Sequence, residues 1–126
     1  MARILVIDDE EQIRMVFRGI LERAGYEVAD AADGEQGIMV QGENPADLII
    51  TDIVMPGKEG LKTIMEMRRK FPGVQIIAIS GGGQIPAEEY LDLATRFGAA
   101  CALMKPVSAQ ELVTAVTNIL DSDLKK

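Results

Sequence analysis

The stretch Leu48-Ile49-Ile50-Thr51-Asp52-Ile53-Val54-Met55-Pro56-Gly57-Lys58-Glu59-Gly60 constrains the fold more than any other part of the chain. Its Leu and Ile residues follow one another without polar alternation, the pattern of a strand buried on both faces. Pro56 and Gly57 then force a turn. One carboxylate, Asp52, stands at the C-terminal end of the strand, where open α/β sheets place their ligand crevice. An Asp at that point also opens turns, so its meaning depends on the other strands.

The flanking sequence supplies them. Arg3 to Ile7, Tyr26 to Ala31, Asp47 to Thr51, Val74 to Ile79 and Ala99 to Met104 read as strands, the second at an edge. Helical spacing sets Ile13, Val16, Phe17, Ile20, Leu21 and Ala24 on one face of a first helix, which Gly25 closes with a left-handed cap. Glu35 to Gly42 is expected to be a short helix weakened by Gly37. Glu59 to Lys70 is expected to be a helix with Leu61, Ile64, Met65 and Met67 on or near its inner face, and Ala87 to Phe97 a helix running from Pro86 to Gly98. Ser108-Ala109-Gln110-Glu111 is a capping box opening a last helix, and the residues from Asp121 onward are expected to fray. Strands and helices in alternation predict an α/β fold: one doubly wound parallel sheet with right-handed crossovers, filling residues 1–126 as a single domain.

Composition narrows the chemistry. A net charge of -7 argues against direct nucleic-acid binding. The chain has no His and one Cys, Cys101, so any bound metal must be hard and held by oxygen. The first apolar run is too short for a signal peptide or a membrane span, which makes the cytoplasm the expected compartment.

In a parallel sheet all strand ends share one edge. The first strand ends at Asp8 and Asp9, the third at Asp52, the fourth at Ser80 and the fifth at Lys105. Each has a plain explanation alone, as a helix cap, a turn residue or a solvated charge. Together they set three carboxylates, a hydroxyl and an ammonium around one crevice. Clustered carboxylates repel unless a cation sits among them, and Mg²⁺ takes oxygen ligands while keeping waters for exchange with phosphate. Lys105 and Ser80 suit phosphoryl oxygens, and Asp52 suits a nucleophile that forms an aspartyl-phosphate.

The pattern resembles the receiver domain of two-component response regulators across nearly the whole chain. The matching pieces are Asp8-Asp9, Asp52-Ile53-Val54-Met55-Pro56 with Gly60, Ser80, and Lys105-Pro106. The resemblance implies a flavodoxin-like five-stranded sheet of order 2-1-3-4-5 with five helices. It implies Mg²⁺ held by Asp8 or Asp9, by Asp52 and by the carbonyl of Ile53. Asp52 would be the phosphoacceptor, Ser80 the switch hydroxyl and Lys105 the phosphate-binding lysine, joined to Pro106 by a cis peptide. The phosphodonor would be a sensor histidine kinase or a histidine phosphotransfer protein. The chain would be a signalling phosphoacceptor rather than an enzyme acting on other substrates. No effector segment follows, so it reads as a stand-alone or excised receiver.

Three departures from the family pattern stand out. Ala102 occupies the place of the usual aromatic on the fifth strand, Val107 follows Lys105-Pro106, and Ser80 to Gly98 is longer and carries Gly81-Gly82-Gly83. Without a ring at position 102, the response is expected to travel through Ser80 to Pro86 and the helix after it. Two other functions share parts of this pattern. A haloacid-dehalogenase-like phosphohydrolase needs a second Asp two residues after the nucleophile, and here that residue is Val54. A flavodoxin needs a phosphate loop after its first strand, where Asp8-Asp9-Glu10 would repel a phosphate. A protein-interaction module of the same fold would have no use for the full set of site residues.

Overall fold

Along β1 (Arg3–Ile7) the side chains divide by parity. Ile4 and Val6 join one apolar cluster and Leu5 and Ile7 the other, as a period of two requires. The computed structural model describes residues 2–53, 59–81 and 87–124. After β1 come α1 (Glu11–Arg23), β2 (Glu27–Ala31), α2 (Gly34–Glu43), β3 (Leu48–Asp52) and α3 (Glu59–Lys70). They are followed by β4 (Gln75–Ser80), α4 (Ala87–Arg96), β5 (Cys101–Met104) and α5 (Ala109–Leu124). All strand pairs are parallel and the order is β2-β1-β3-β4-β5, as expected, with β2 at one edge. The turn expected at Pro56-Gly57 and the segment 82–86, with its glycines and Pro86, lie outside the described residues.

The two clusters are the two faces of the sheet. Phe17 and Leu21 of α1 and Leu112 and Val116 of α5 cover Ile4, Val6, Leu48, Ile50, Ile77 and Ile79. Ile64 and Met67 of α3 and Ala94 of α4 cover Leu5, Ile7, Ile49, Ile76 and Ala78, with Ile38 and Val40 of α2 packed alongside. Local signals in the sequence are realised at the helix ends. Gly25 and Gly98 have positive φ after α1 and α4. At α5 the Ser108 amide donates to Glu111 Oε1 at 3.2 Å and the Glu111 amide to Ser108 Oγ at 3.1 Å, the reciprocal capping box.

The structure narrows several expectations. Val16 and Met65 belong to the apolar spacing of α1 and α3 but are 57% and 52% exposed. On each helix the buried stripe is narrower than the apolar pattern. Ala24, in the same spacing of the first helix, is exposed and caps α1. The last helix does not end at Asp121 but continues to Leu124.

Gly37 also has a packing reason to stand in α2. A Cβ at Gly37 would lie 2.4 Å from Ile7 Cδ1, so the missing side chain is what lets α2 approach β1. Gly42, near the end of the same helix, has nothing within 4 Å of such a Cβ. Gly37→Ala should therefore destabilise by about 1–2 kcal/mol despite the better helix propensity of Ala. Gly42→Ala should stabilise by about 0.5 kcal/mol. Urea denaturation of the two variants checks the opposite signs.

Candidate functional site

Side-chain parity at the strand ends assembles the site. Asp52 is the last residue of β3 and continues the series Leu48, Ile50. Asp8 follows β1 and continues Ile4, Val6, while Lys105 follows β5 and continues Cys101, Leu103. The three charged groups thus leave the sheet on the side that α1 and α5 cover. Lys105 Nζ donates to Asp52 Oδ2 at 2.9 Å and to Asp8 Oδ2 at 3.2 Å. Both carboxylates are buried, at 4% and 2% exposure, and the lysine side chain is 19% exposed. Burial pulls the Lys105 pKa down, but the hydrogen bonds and charges of Asp52 and Asp8 outweigh it, so the ammonium titrates above the ordinary lysine value.

The remaining expected residues surround this pair. Ser80 is fully buried at the end of β4, and its carbonyl accepts the Lys105 amide at 2.8 Å. Ile53 is buried directly after Asp52, and its amide donates to the Ile79 carbonyl at 2.9 Å. Asp9 is exposed beside Asp8. One carboxylate oxygen each from Asp8, Asp9 and Glu10 lie within 4.8 Å of one another. The Lys105–Pro106 peptide is cis, as the resemblance implied.

Charge balance tests whether a divalent cation fits. Asp8 and Asp52 are buried together and share one ammonium, which leaves them with a net negative charge before Asp9 and Glu10 are counted. All available donors are hard oxygens, the set Mg²⁺ takes. The residues present fit such an ion.

Comparison with known proteins shows the family. Residues 4–117 match the model of the response regulator receiver domain. The chain belongs to that family. It is 31% identical to the chemotaxis protein CheY of Thermotoga maritima over 93% of this chain and 96% of that protein. It is 30% identical to the sensor kinase CckA of Brucella abortus over 95% of this chain, but spans only 13% of that protein. A solved receiver domain from Clostridium thermocellum superposes with a TM-score of 0.88 at 35% identity, each chain covered in full. The receiver is thus a signalling phosphoacceptor of the two-component kind, in a family that binds Mg²⁺ at an acidic pocket and is phosphorylated by histidine kinases. Among the described residues no helix is long and apolar enough to cross a membrane.

Two neighbours of the site were not singled out from the sequence. Glu10 adds a carboxylate to the acidic group, and Arg14 Nη1 donates to the Asp8 carbonyl at 2.7 Å. The signal for Arg14 was present: it stands three residues before Phe17 and seven before Leu21, a cation on the buried stripe of α1.

Removing the shared ammonium should expose the cost of the acid pair. Lys105→Met should lower stability by about 2 kcal/mol at pH 7, less than the ~3–5 kcal/mol of a wholly buried pair because the lysine is partly solvated. Asp52→Asn, which relieves the repulsion, should be neutral or stabilising. The sign with pH follows from the raised lysine pKa: its contribution is complete below the ordinary lysine value and is lost as pH climbs through the folded-state value. Denaturation at pH 7 and in the alkaline range should show the gap between wild type and Lys105→Met closing at high pH.

Proposed function

We propose that Asp52 is the phosphoacceptor of this receiver, with residues 1–126 working as one cytoplasmic receiver domain. The observation that carries the reading is the Asp52 carboxylate itself. It ends the central strand, is buried, and is held at 2.9 Å by an ammonium shared with a second buried carboxylate. Such a carboxylate is held in one orientation, which an attacking nucleophile needs.

In the transfer, an oxygen of Asp52 forms a bond to phosphorus while the bond from phosphorus to the donor's histidine nitrogen breaks. The donor is a histidine kinase or a histidine phosphotransfer protein. Lys105 is bonded to Asp52 before the reaction and is close enough to follow the charge onto a phosphoryl oxygen. Ser80, at the adjacent strand end, supplies a hydroxyl for another. Asp8 or Asp9, Asp52 and the carbonyl of Ile53 are the residues that would hold Mg²⁺. When bound, the ion offsets negative charge between the carboxylates and the incoming phosphoryl group. Lys105 and Ser80 follow β5 and end β4, so they link the chemistry to the edge of the sheet farthest from β2.

Incubation with acetyl phosphate and Mg²⁺, read by intact mass, should add one phosphoryl group to the wild type and none to Asp52→Asn. A modified peptide mapping elsewhere in the wild type would refute the assignment. Asp9→Ala should lose most of the rise in melting temperature that millimolar Mg²⁺ gives the wild type.

A second expectation concerns the output. Ala102 offers no ring to rotate, and it sits on the cluster face with Ala78, its register partner. With a beryllofluoride mimic of the phosphoryl group, changes in amide exchange should therefore concentrate between residues 80 and 97. Changes confined to Asp52 and Lys105 would show that the response leaves by another route.

A further inference from the structure

Arg14 projects from the first turns of α1 and spans three elements. Its side chain is mostly covered, with 16% exposed. Nη1 donates to the Asp8 carbonyl at 2.7 Å, and Nε lies 3.6 Å from Asp30 Oδ2 on β2. Arg18 Nη1 lies 3.9 Å from the other oxygen of Asp30. The Asp30 carboxylate is thus fixed between two arginines, and one of them reaches on to the peptide that joins Asp8 to Asp9.

Asp8 and Asp9 are held very differently. The Asp8 amide donates to the Ala31 carbonyl at 3.2 Å. Its carboxylate accepts the Glu10 amide at 2.8 Å through Oδ1 and Lys105 through Oδ2. Asp8 therefore has anchors of its own on both its backbone and its side chain. Asp9 is exposed, and among the described residues its carboxylate has no hydrogen bond or ion pair. The Asp9 backbone is held on both sides: the Glu10 amide after it is bound by Asp8 Oδ1, and the carbonyl before it is the one Arg14 holds.

We propose that Arg14 is a positioning residue for Asp9: by fixing the Asp8–Asp9 peptide, it holds the exposed carboxylate towards the cation site. The inference rests on the reading that a divalent cation binds at this acidic group. A guanidinium suits the task because its planar fork engages a carbonyl and a carboxylate at once, which an ammonium does less well. The effect is of the kind by which outer partners orient metal ligands.

Binding of Mn²⁺, a hard ion that stands in for Mg²⁺, can be followed on the purified chain by loss of the free-ion electron paramagnetic resonance signal. Arg14→Met keeps an unbranched stem and removes every donor. It should weaken binding by about tenfold. The same change in an Asp9→Ala background should alter affinity by less than about twofold, because the group it positions is no longer there. Arg14→Lys, with one donor for the carbonyl, should fall between, about threefold weaker than wild type. Should Arg14→Met not fold, Arg14→Lys carries the same comparison in the two backgrounds. Wild-type affinity in the Arg14 variants, or an equal loss with and without the Asp9 carboxylate, would overturn the proposal. Failure of the wild type to bind Mn²⁺ would overturn the cation reading, and this inference with it.

Discussion

The ammonium of Lys105 between the carboxylates of Asp8 and Asp52 is the contact on which the site depends. It joins the ends of three strands, and the lysine comes from the loop beyond β5 at the sheet edge. Two carboxylates buried this close repel one another. The shared cation offsets that repulsion while leaving the pair one charge short of neutral. That shortfall is useful. It leaves room for a divalent ion, since the one ammonium cannot satisfy every carboxylate oxygen at once.

The polar cluster is affordable because it sits at an edge of the sheet rather than inside it. Both faces below are closed by separate apolar layers, α1 and α5 on one side and α2, α3 and α4 on the other. Nearly every residue of β1, β3 and β4 is buried. The strands are therefore held by burial along their length, and their ends are free to carry charge. Parallel pairing fixes which ends meet, and the two-residue period fixes which side of the sheet each end faces.

Much of this was legible in the sequence because it depends on short-range rules. The apolar runs ending at Asp8, Asp52, Ser80 and Lys105 gave the strands and their shared edge, and the spacing of Ser108 and Glu111 gave a helix start. Residues whose role is set by a distant neighbour were harder to read. Gly37 looks like a helix breaker until the Ile7 side chain is seen against it. Val16 and Met65 fit helical apolar patterns, yet both stand outside the buried stripe of their helices. Arg14 looks like one more cation on a helix whose neighbours Arg18 and Glu22 form an ordinary i,i+4 pair. Only the fold reveals that its partner is a carbonyl at the strand end.

The departure at Ala102 bears on how such a site communicates. On the face that α4 covers, the sheet near β5 is lined by small residues. Ala78 and Ala94 are fully buried, Ala99 nearly so, and Ala102 lies in register with Ala78. Small side chains bring helix and sheet close together and offer no large group that could swap between two packed positions. A change at Ser80 has six residues of chain to cross before α4 begins at Ala87. The helix also meets the sheet directly, since Ala94 of α4 and Ala78 of β4 share one apolar cluster. Alanine packed against alanine sets how far such a helix can shift before contacts are lost.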